Sequence, residues 1–327
     1  MINCGIIGYG KMGKIRAATI ENNGSGRVVS IYDTVVVECP FEQAQSAQAV
    51  IDDPRVDALF VCTPNYQIVP LCVAALNAGK HVFSEKPPAF NAQELEAVVE
   101  AEKRSSKKLM YGFNHRHHGS IQKMKSLVEK GEMGKILWMR GRYGKEVDGS
   151  YFEGWRADPE KAGGGILLDQ GIHMLDLFLH FAGPFDEVHA LVSNLYWKTP
   201  GLEDNVFAIM RNTTSGVCAS LHSTMTQWRY LFSFEVFLEG GALILNGLKT
   251  SSGAYGDEDL AIKRNTSRTQ TGDFQSEERI VYNIDESWAE EVAAFFAAIT
   301  HDTPIGEGNS GDAMLLMKTL DRIYQKS

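Results

Sequence analysis

What this sequence lacks narrows the possibilities before any motif is read. Its five cysteines, Cys4, Cys39, Cys62, Cys72 and Cys218, are scattered, with no CxxC and no even pairing. That speaks against a disulfide framework and fits reduced thiols in a cytoplasmic protein. No lysine- or arginine-rich patch stands out and the net charge is −9, so nucleic acid is not expected as a partner. No apolar run approaches the ~20 residues needed to cross a bilayer, so no membrane partner is expected. The opening MINCGIIGYG reads as a strand and turn rather than a leader. Low-complexity segments and internal repeats are absent. What remains is 327 residues, 44% hydrophobic and 22% charged, enough for about two globular domains of roughly 150 residues each.

The first third alternates strands and helices. The apolar run Ile2 to Ile7 leads into GYGKMG, which places Gly8, Gly10 and Gly13 in a GxGxxG pattern. A helix-like stretch and a second apolar run follow, ending at Asp33, 20 residues beyond Gly13. Each part has a task in dinucleotide binding: Gly8 for the tight turn, Gly10 for close approach of a pyrophosphate, Gly13 for helix–strand packing. The helix N-terminus at Tyr9, Lys11 and Met12 offers N–H groups to phosphate. Asp33 would accept from ribose hydroxyls and repel a 2′-phosphate, and the TVVV after it has no arginine; NAD is expected over NADP. Further strands end at Thr63, Pro64 and Asn65, at Glu85 and Lys86, and at Asn114 and Arg116. This order implies a doubly wound parallel sheet whose ligands gather at the carboxyl ends of its strands.

Lys86 stands between Glu85 and Pro87, so its backbone is expected to be extended. It is either a surface lysine paired with Glu85 or a cation that polarises a substrate hydroxyl. His115, His117 and His118 flank Arg116 in NHRHH; no cysteine or carboxylate completes a ligand set nearby, and no metal is expected. Further on, GGGILLDQGIHMLD begins at Gly163. Leu168, Ile172, Leu175 and Leu179 form an apolar helical stripe, and Asp169, His173, Asp176 and His180 repeat the spacing one residue on. That polar stripe reads either as a solvated face or as the rim of a cleft, with Asp169 and His173 in i,i+4 range. The three glycines point to a close backbone approach or an irregular turn, and His173 suits proton transfer near neutral pH.

Taken together, GYGKMG, Asp33, TPN, EKP and GGGxxxDxGxHxxD resemble the Gfo/Idh/MocA oxidoreductases, the family of glucose–fructose oxidoreductase and inositol dehydrogenase, across essentially the whole chain. The resemblance implies an α/β fold: an N-terminal Rossmann domain over residues 1–118, a C-terminal α/β domain with a large, mostly antiparallel open sheet over 119–309, and a last helix at 310–327 returning to the first domain. Seven strand-like runs in the second half, from KILWMRGRY to EERIVYN, agree independently. The resemblance also implies Lys86, Asp169 and His173 as the catalytic set and a sugar, nucleotide sugar or cyclitol as substrate. His173 would take the hydroxyl proton, Lys86 would hydrogen-bond that oxygen, and Asp169 would fix Lys86 or the substrate. Asn114, Arg116, Trp155, Arg156 and Asp176 join these on the substrate side, Asp176 as a substrate contact or a brace for the helix. A homodimer or homotetramer through the sheet is implied as well. One departure stands out: three positions beyond Asn65, where the family often has histidine, this chain has Ile68.

An alternative within the superfamily is an NAD-dependent glycoside hydrolase that oxidises its sugar transiently. Its extra base would be Tyr151, Tyr230 or a histidine of the NHRHH loop. A non-catalytic NAD-binding regulator is the third reading. Phe152, Trp155, Trp197, Trp228 and Tyr230 are candidates for stacking on sugar rings.

Overall fold

A computed structural model describes residues 1–36, 38–265 and 277–325. Within it the chain forms two compact units, residues 1–114 with 160–163 and 288–318, and residues 115–159 with 164–287 and the C-terminal tail from Thr319.

The first unit is built on five short parallel strands: β1 (Ile2–Ile7), β2 (Gly26–Tyr32), β3 (Ala58–Val61), β4 (His81–Ser84) and β5 (Leu109–Tyr111), in the order β2-β1-β3-β4-β5. All four residues of β3 are buried, as expected for a strand covered on both faces. Helices α1 (Lys11–Asn23), α2 (Ala47–Asp52), α3 (Ile68–Asn77) and α4 (Ala92–Ser105) make the crossovers. Asn91 caps α4, accepting from the Glu94 N–H at 2.8 Å, and α3 is followed by Gly79 at φ +74°. The strand expected to end at Asn114 and Arg116 pairs only over β5; Asn114–His117 turn into a 3₁₀ segment.

The second unit carries α5 (Gly119–Glu129), β6 (Ile136–Gly144), α6 (Pro159–Ala162, whose last three residues belong with the first unit), α7 (Ile172–Ala182) and the strands β7 (Glu187–Ser193), β8 (Asn205–Arg211), β9 (Cys218–Thr224), β10 (Leu231–Leu238), β11 (Gly241–Asn246), β12 (Glu258–Arg264) and β13 (Glu278–Tyr282). The eight strands order as β13-β12-β11-β10-β6-β9-β8-β7, antiparallel throughout except for β6 against β9. The sequence reading found seven of them and missed β12. Its charged ends disguise it, yet Leu260, Ala261 and Ile262 are buried between β11 and β13. α7 lies close on β6: a Cβ at Gly141 would stand 2.4 Å from Met174 Sδ. The opposite side of the strands exposes apolar residues in alternation, with Leu191 74%, Phe207 50% and Ile209 63% exposed.

Two helices close the chain, α8 (Ser287–Thr300) and α9 (Ser310–Tyr324). The sequence-based boundary put residues up to 309 in the second domain, but Val292, Phe295 and Phe296 of α8 share a core with Ile6, Phe60 and Phe83 of the first unit. Residues 326 and 327 of the expected last helix lie outside the described residues.

Candidate functional site

At the end of β1 the chain turns through Gly8 with φ +90°, a conformation that L side chains avoid. A Cβ on Gly8 would lie 2.5 Å from the Cys62 carbonyl oxygen, and one on Gly13 2.1 Å from that of Gly8. Both positions are therefore closed by the protein itself. Gly10 is the opposite: it is exposed, and a Cβ there would meet nothing within 4 Å. It is also the N-cap of α1, has no side-chain cap, and is followed by no acidic residue in the first turn. The amide donors of this helix end thus have no side-chain cap and stand beside a residue whose missing side chain leaves space, which fits a pyrophosphate.

Asp33, at the end of β2, accepts from the Tyr9 N–H at 2.6 Å and the Val35 N–H at 3.2 Å, which fixes its carboxylate beside the glycine turn. Tyr9 contributes backbone here, since its ring is buried and meets Phe41 edge-on. After β3, Thr63 Oγ1 is buried with no hydrogen-bond partner among the described residues. Such a group is costly unless something pairs with it. Asn65 Nδ2 donates to the Ala162 carbonyl at 2.8 Å, and Ile68 is fully buried.

Glu85 was expected to face the cofactor, and the structure gives its carboxylate another task. It accepts from Nε of Arg16 at 2.7 Å, while Arg16 Nη2 meets Glu291 at 2.7 Å and the guanidinium lies over the Phe83 ring. Arg16 is fully buried, so the carboxylates neutralise a charge that water cannot reach.

In the second unit the triple glycine is explained by protein contacts. A Cβ on Gly164 would fall 2.7 Å from the Tyr324 hydroxyl, and one on Gly165 2.0 Å from the Glu203 carbonyl oxygen. Gly163, in the first unit, has φ +76° and would collide with the Phe90 ring at 2.2 Å. The buried Glu203 carboxylate accepts from the Gly165 N–H at 2.7 Å, the Leu167 N–H at 2.9 Å and the Tyr324 hydroxyl at 2.7 Å. Burial raises its pKa above the ordinary carboxylate value, against the pull of those donors.

Leu167–Gly171 then wind as a π-turn before α7 begins. The regular i,i+4 helix expected around Asp169 is therefore interrupted at that residue, and π-turns of this kind recur at functional sites. Nor is the polar stripe a solvated face: His173 is 7% exposed and Asp176 1%. Asp176 accepts from Arg116 Nε at 2.8 Å and Nη2 at 2.6 Å, a bidentate pair in which both residues are buried. That geometry is a brace. His173 stacks on His115 with ring centroids 3.9 Å apart, and His115 Nε2 lies 3.1 Å from the Tyr143 hydroxyl. His118 pairs instead with Glu258 at 2.8 Å, so the NHRHH histidines divide between different partners; among the described residues no group of three or more ligating side chains could hold a metal.

Asp169 receives Lys145 Nζ at 2.5 Å and the Tyr151 hydroxyl at 3.2 Å on Oδ2, and Arg156 Nε at 3.3 Å on Oδ1. Burial, then the Asp169 charge, raises the Tyr151 hydroxyl far above its usual value, so Tyr151 is a donor rather than a base near neutrality. Trp155 lies under the Arg156 guanidinium at 4.4 Å. Lys145 and Glu203 were not found from the sequence. Each meets its partner across 24 and 38 residues, a separation that leaves no periodic signal.

Two family models match in chain order: an oxidoreductase family, NAD-binding Rossmann fold, over residues 2–113, and the GFO/IDH/MocA C-terminal domain over residues 121–244. The chain belongs to the Gfo/Idh/MocA oxidoreductase family. Within that family it is 26% identical over 333 residues to myo-inositol 2-dehydrogenase of Thermotoga maritima, covering 96% of this chain and 93% of that one. It is 32% identical over 163 residues to levoglucosan dehydrogenase of Pseudarthrobacter phenanthrenivorans, a match spanning 49% of this chain and 42% of that enzyme. A solved structure of levoglucosan dehydrogenase in complex with NADH and levoglucosan shares the fold, with a TM-score of 0.85 at 22% identity over 99% of this chain and 96% of that one. No helix among the described residues is long and apolar enough to cross a membrane.

Proposed function

We propose that this family member is a dehydrogenase that oxidises a ring hydroxyl of a sugar, nucleotide sugar or cyclitol with NAD. The observation that carries the reading is the open Gly10 beside uncapped α1 amides in a chain that also holds an imidazole at His173 and an anchored carboxylate at Asp169. NAD, when bound, would supply the hydride acceptor for the carbinol carbon. His173 takes the hydroxyl proton, its ring oriented by the stack on His115. Lys86 hydrogen-bonds the same oxygen and stabilises developing alkoxide, and Asp169 holds Lys86 or the substrate in place. Asn114, Trp155 and Arg156 contribute to substrate binding, whereas Arg116 and Asp176 act by bracing α7.

Asp33 supports a preference for NAD, because a 2′-phosphate would meet a carboxylate already fixed beside the turn. The exposed apolar residues Leu191, Phe207 and Ile209 support assembly with further copies through the large sheet. Five unpaired thiols support a reducing, cytoplasmic setting.

The test is reduction of NAD by the purified protein across sugars, cyclitols and nucleotide sugars. Formation of reduced nicotinamide with at least one class is expected, with a loss of at least ~100-fold in kcat for His173→Ala. No turnover across the panel, with Lys86→Ala and His173→Ala binding every member as the wild type does, would remove the proposal. Release of an aryl aglycone without net NADH would replace it with the glycosidase reading.

A further inference from the structure

The sequence motifs leave Lys145 unassigned, yet it is a buried charge of the second unit with an ion-pair partner. It is 8% exposed, and it follows directly on the end of β6. Its backbone N–H donates to the Thr224 carbonyl at 3.1 Å, and the preceding Gly144 is so close to β9 that a Cβ would lie 2.6 Å from that same oxygen. The base of the side chain is therefore set by the sheet. Its ammonium reaches Asp169 Oδ2 at 2.5 Å and lies 4.2 Å from the centroid of the Tyr151 ring. Arg156 approaches the other carboxylate oxygen but is far more exposed, at 43% of its side chain. Two cations and one hydroxyl thus converge on a single carboxylate in the middle of a π-turn, four residues ahead of His173. The nearby hydroxyls of Tyr143 and Tyr255 feel the same negative charge, which adds to burial in raising them.

A buried ammonium requires a counter-charge, so stability alone would explain a Lys145–Asp169 pair in an arbitrary place. Here the counter-charge is the carboxylate assigned to the proposed reaction, and it sits where the helix winding is irregular. We propose that Lys145 is a positioning residue, resting on the dehydrogenase reading. It acts through Asp169, fixing the carboxylate's orientation and holding it ionised, while the reacting atoms are left to Lys86 and His173. Tyr151 completes the clamp on the same carboxylate oxygen, and Arg156 is the exposed partner on the other.

The full-length chain labelled with ¹³C at aspartate carboxyls gives a readout that needs no turnover. The Asp169 signal is assigned by its disappearance in Asp169→Asn and titrated in wild type, Lys145→Met and Lys145→Arg. Loss of the adjacent cation is expected to raise the Asp169 midpoint by at least about one pH unit in Lys145→Met, with Lys145→Arg remaining near wild type. With NAD and a sugar that the wild type oxidises, Lys145→Met should lose about tenfold or more in kcat with a much smaller change in KM. The acid limb of its kcat/KM profile should move to higher pH with the Asp169 midpoint, and Lys145→Arg should recover most of the rate. If Lys145→Met does not fold, Lys145→Gln takes its place in both measurements. An Asp169 midpoint that is the same in all variants overturns the proposal, as does a rate loss that Lys145→Arg does not relieve. Absence of turnover in the wild type counts against the dehydrogenase reading alone, because the carboxylate titration still decides whether Lys145 governs Asp169.

Discussion

Two glycine-rich turns lead into helices in this protein, and they use glycine for different reasons. In the first, Gly8 and Gly13 are closed by the chain's own carbonyls, while Gly10 between them opens onto nothing within 4 Å. In the second, Gly163, Gly164 and Gly165 are all closed, by the Phe90 ring, the Tyr324 hydroxyl and the Glu203 backbone. One turn leaves room for a ligand; the other removes side chains so that a buried carboxylate can reach backbone amides. The helices beyond them share a second feature: α1 buries Arg16 between Glu85 and Glu291, and α7 buries Asp176 against Arg116. Similar glycine content thus says little about function until the space around each Cα is known.

The sharpest way to break this contrast is alanine at Gly165. Its Cβ would fall 2.0 Å from a backbone oxygen, so loss of more than about 4 kcal/mol or failure to fold is expected, measured by urea unfolding. A Gly165→Ala protein of normal stability would show that the second turn is not packed as described. Next in size is the loss of a buried charge partner. Asp176→Asn leaves Arg116 with a neutral partner and should cost about 3 kcal/mol, and Arg16→Met, which leaves Glu85 and Glu291 without their shared cation, should cost a similar amount. Gly10→Ala should separate binding from folding: a stability change of under about 1 kcal/mol, but at least about tenfold weaker NAD binding by calorimetry. Equal NAD affinity would mean that the open space at Gly10 is not where the dinucleotide lies.

The smallest expected effect is a pH dependence from the far end of α7. Burial, then the charges of Arg116, Lys125 and His117, holds His180 down at about 3. Its folded value lies below the unfolded value of ~6.5, so the unfolded chain gains the proton first. The contribution is complete above about pH 6.5 and is lost as pH falls toward about 3. His81, lowered to about 4 by burial and the nearby Lys107 and Lys108, acts in the same direction in the first unit. Urea midpoints measured at about pH 7 and about pH 5 should therefore fall on acidification, and less so in His180→Gln. An unchanged slope in that variant would mean that His180 titrates normally.

Much of the first unit was legible because its signals are local. Strand, turn, helix and acid lie within Ile2 to Asp33, and glycine spacing over a single turn carries its own geometric meaning. In the second unit the apolar periodicity announced α7 and seven of eight strands, while β12 was hidden by its charged ends. The placement of polar groups was harder to read. Asp176 and His173 follow the spacing of a solvated stripe yet are buried, because their partners Arg116 and His115 arrive from an element about 60 residues away in the chain. Glu85 had the right position for a ligand contact but serves Arg16.

The sequence by itself determined the family, the alternating α/β start, the glycine cradle and the residue types able to move a proton, since each depends on short-range spacing and backbone permissiveness. Only the tertiary structure decided which charges are neighbours: Lys145 on Asp169, Glu203 on the Gly165 amide, and Arg16 between two glutamates. The reason is physical. Ion pairs act through space over a few ångströms, and the chain that brings their partners together leaves no periodic trace in the order of its residues.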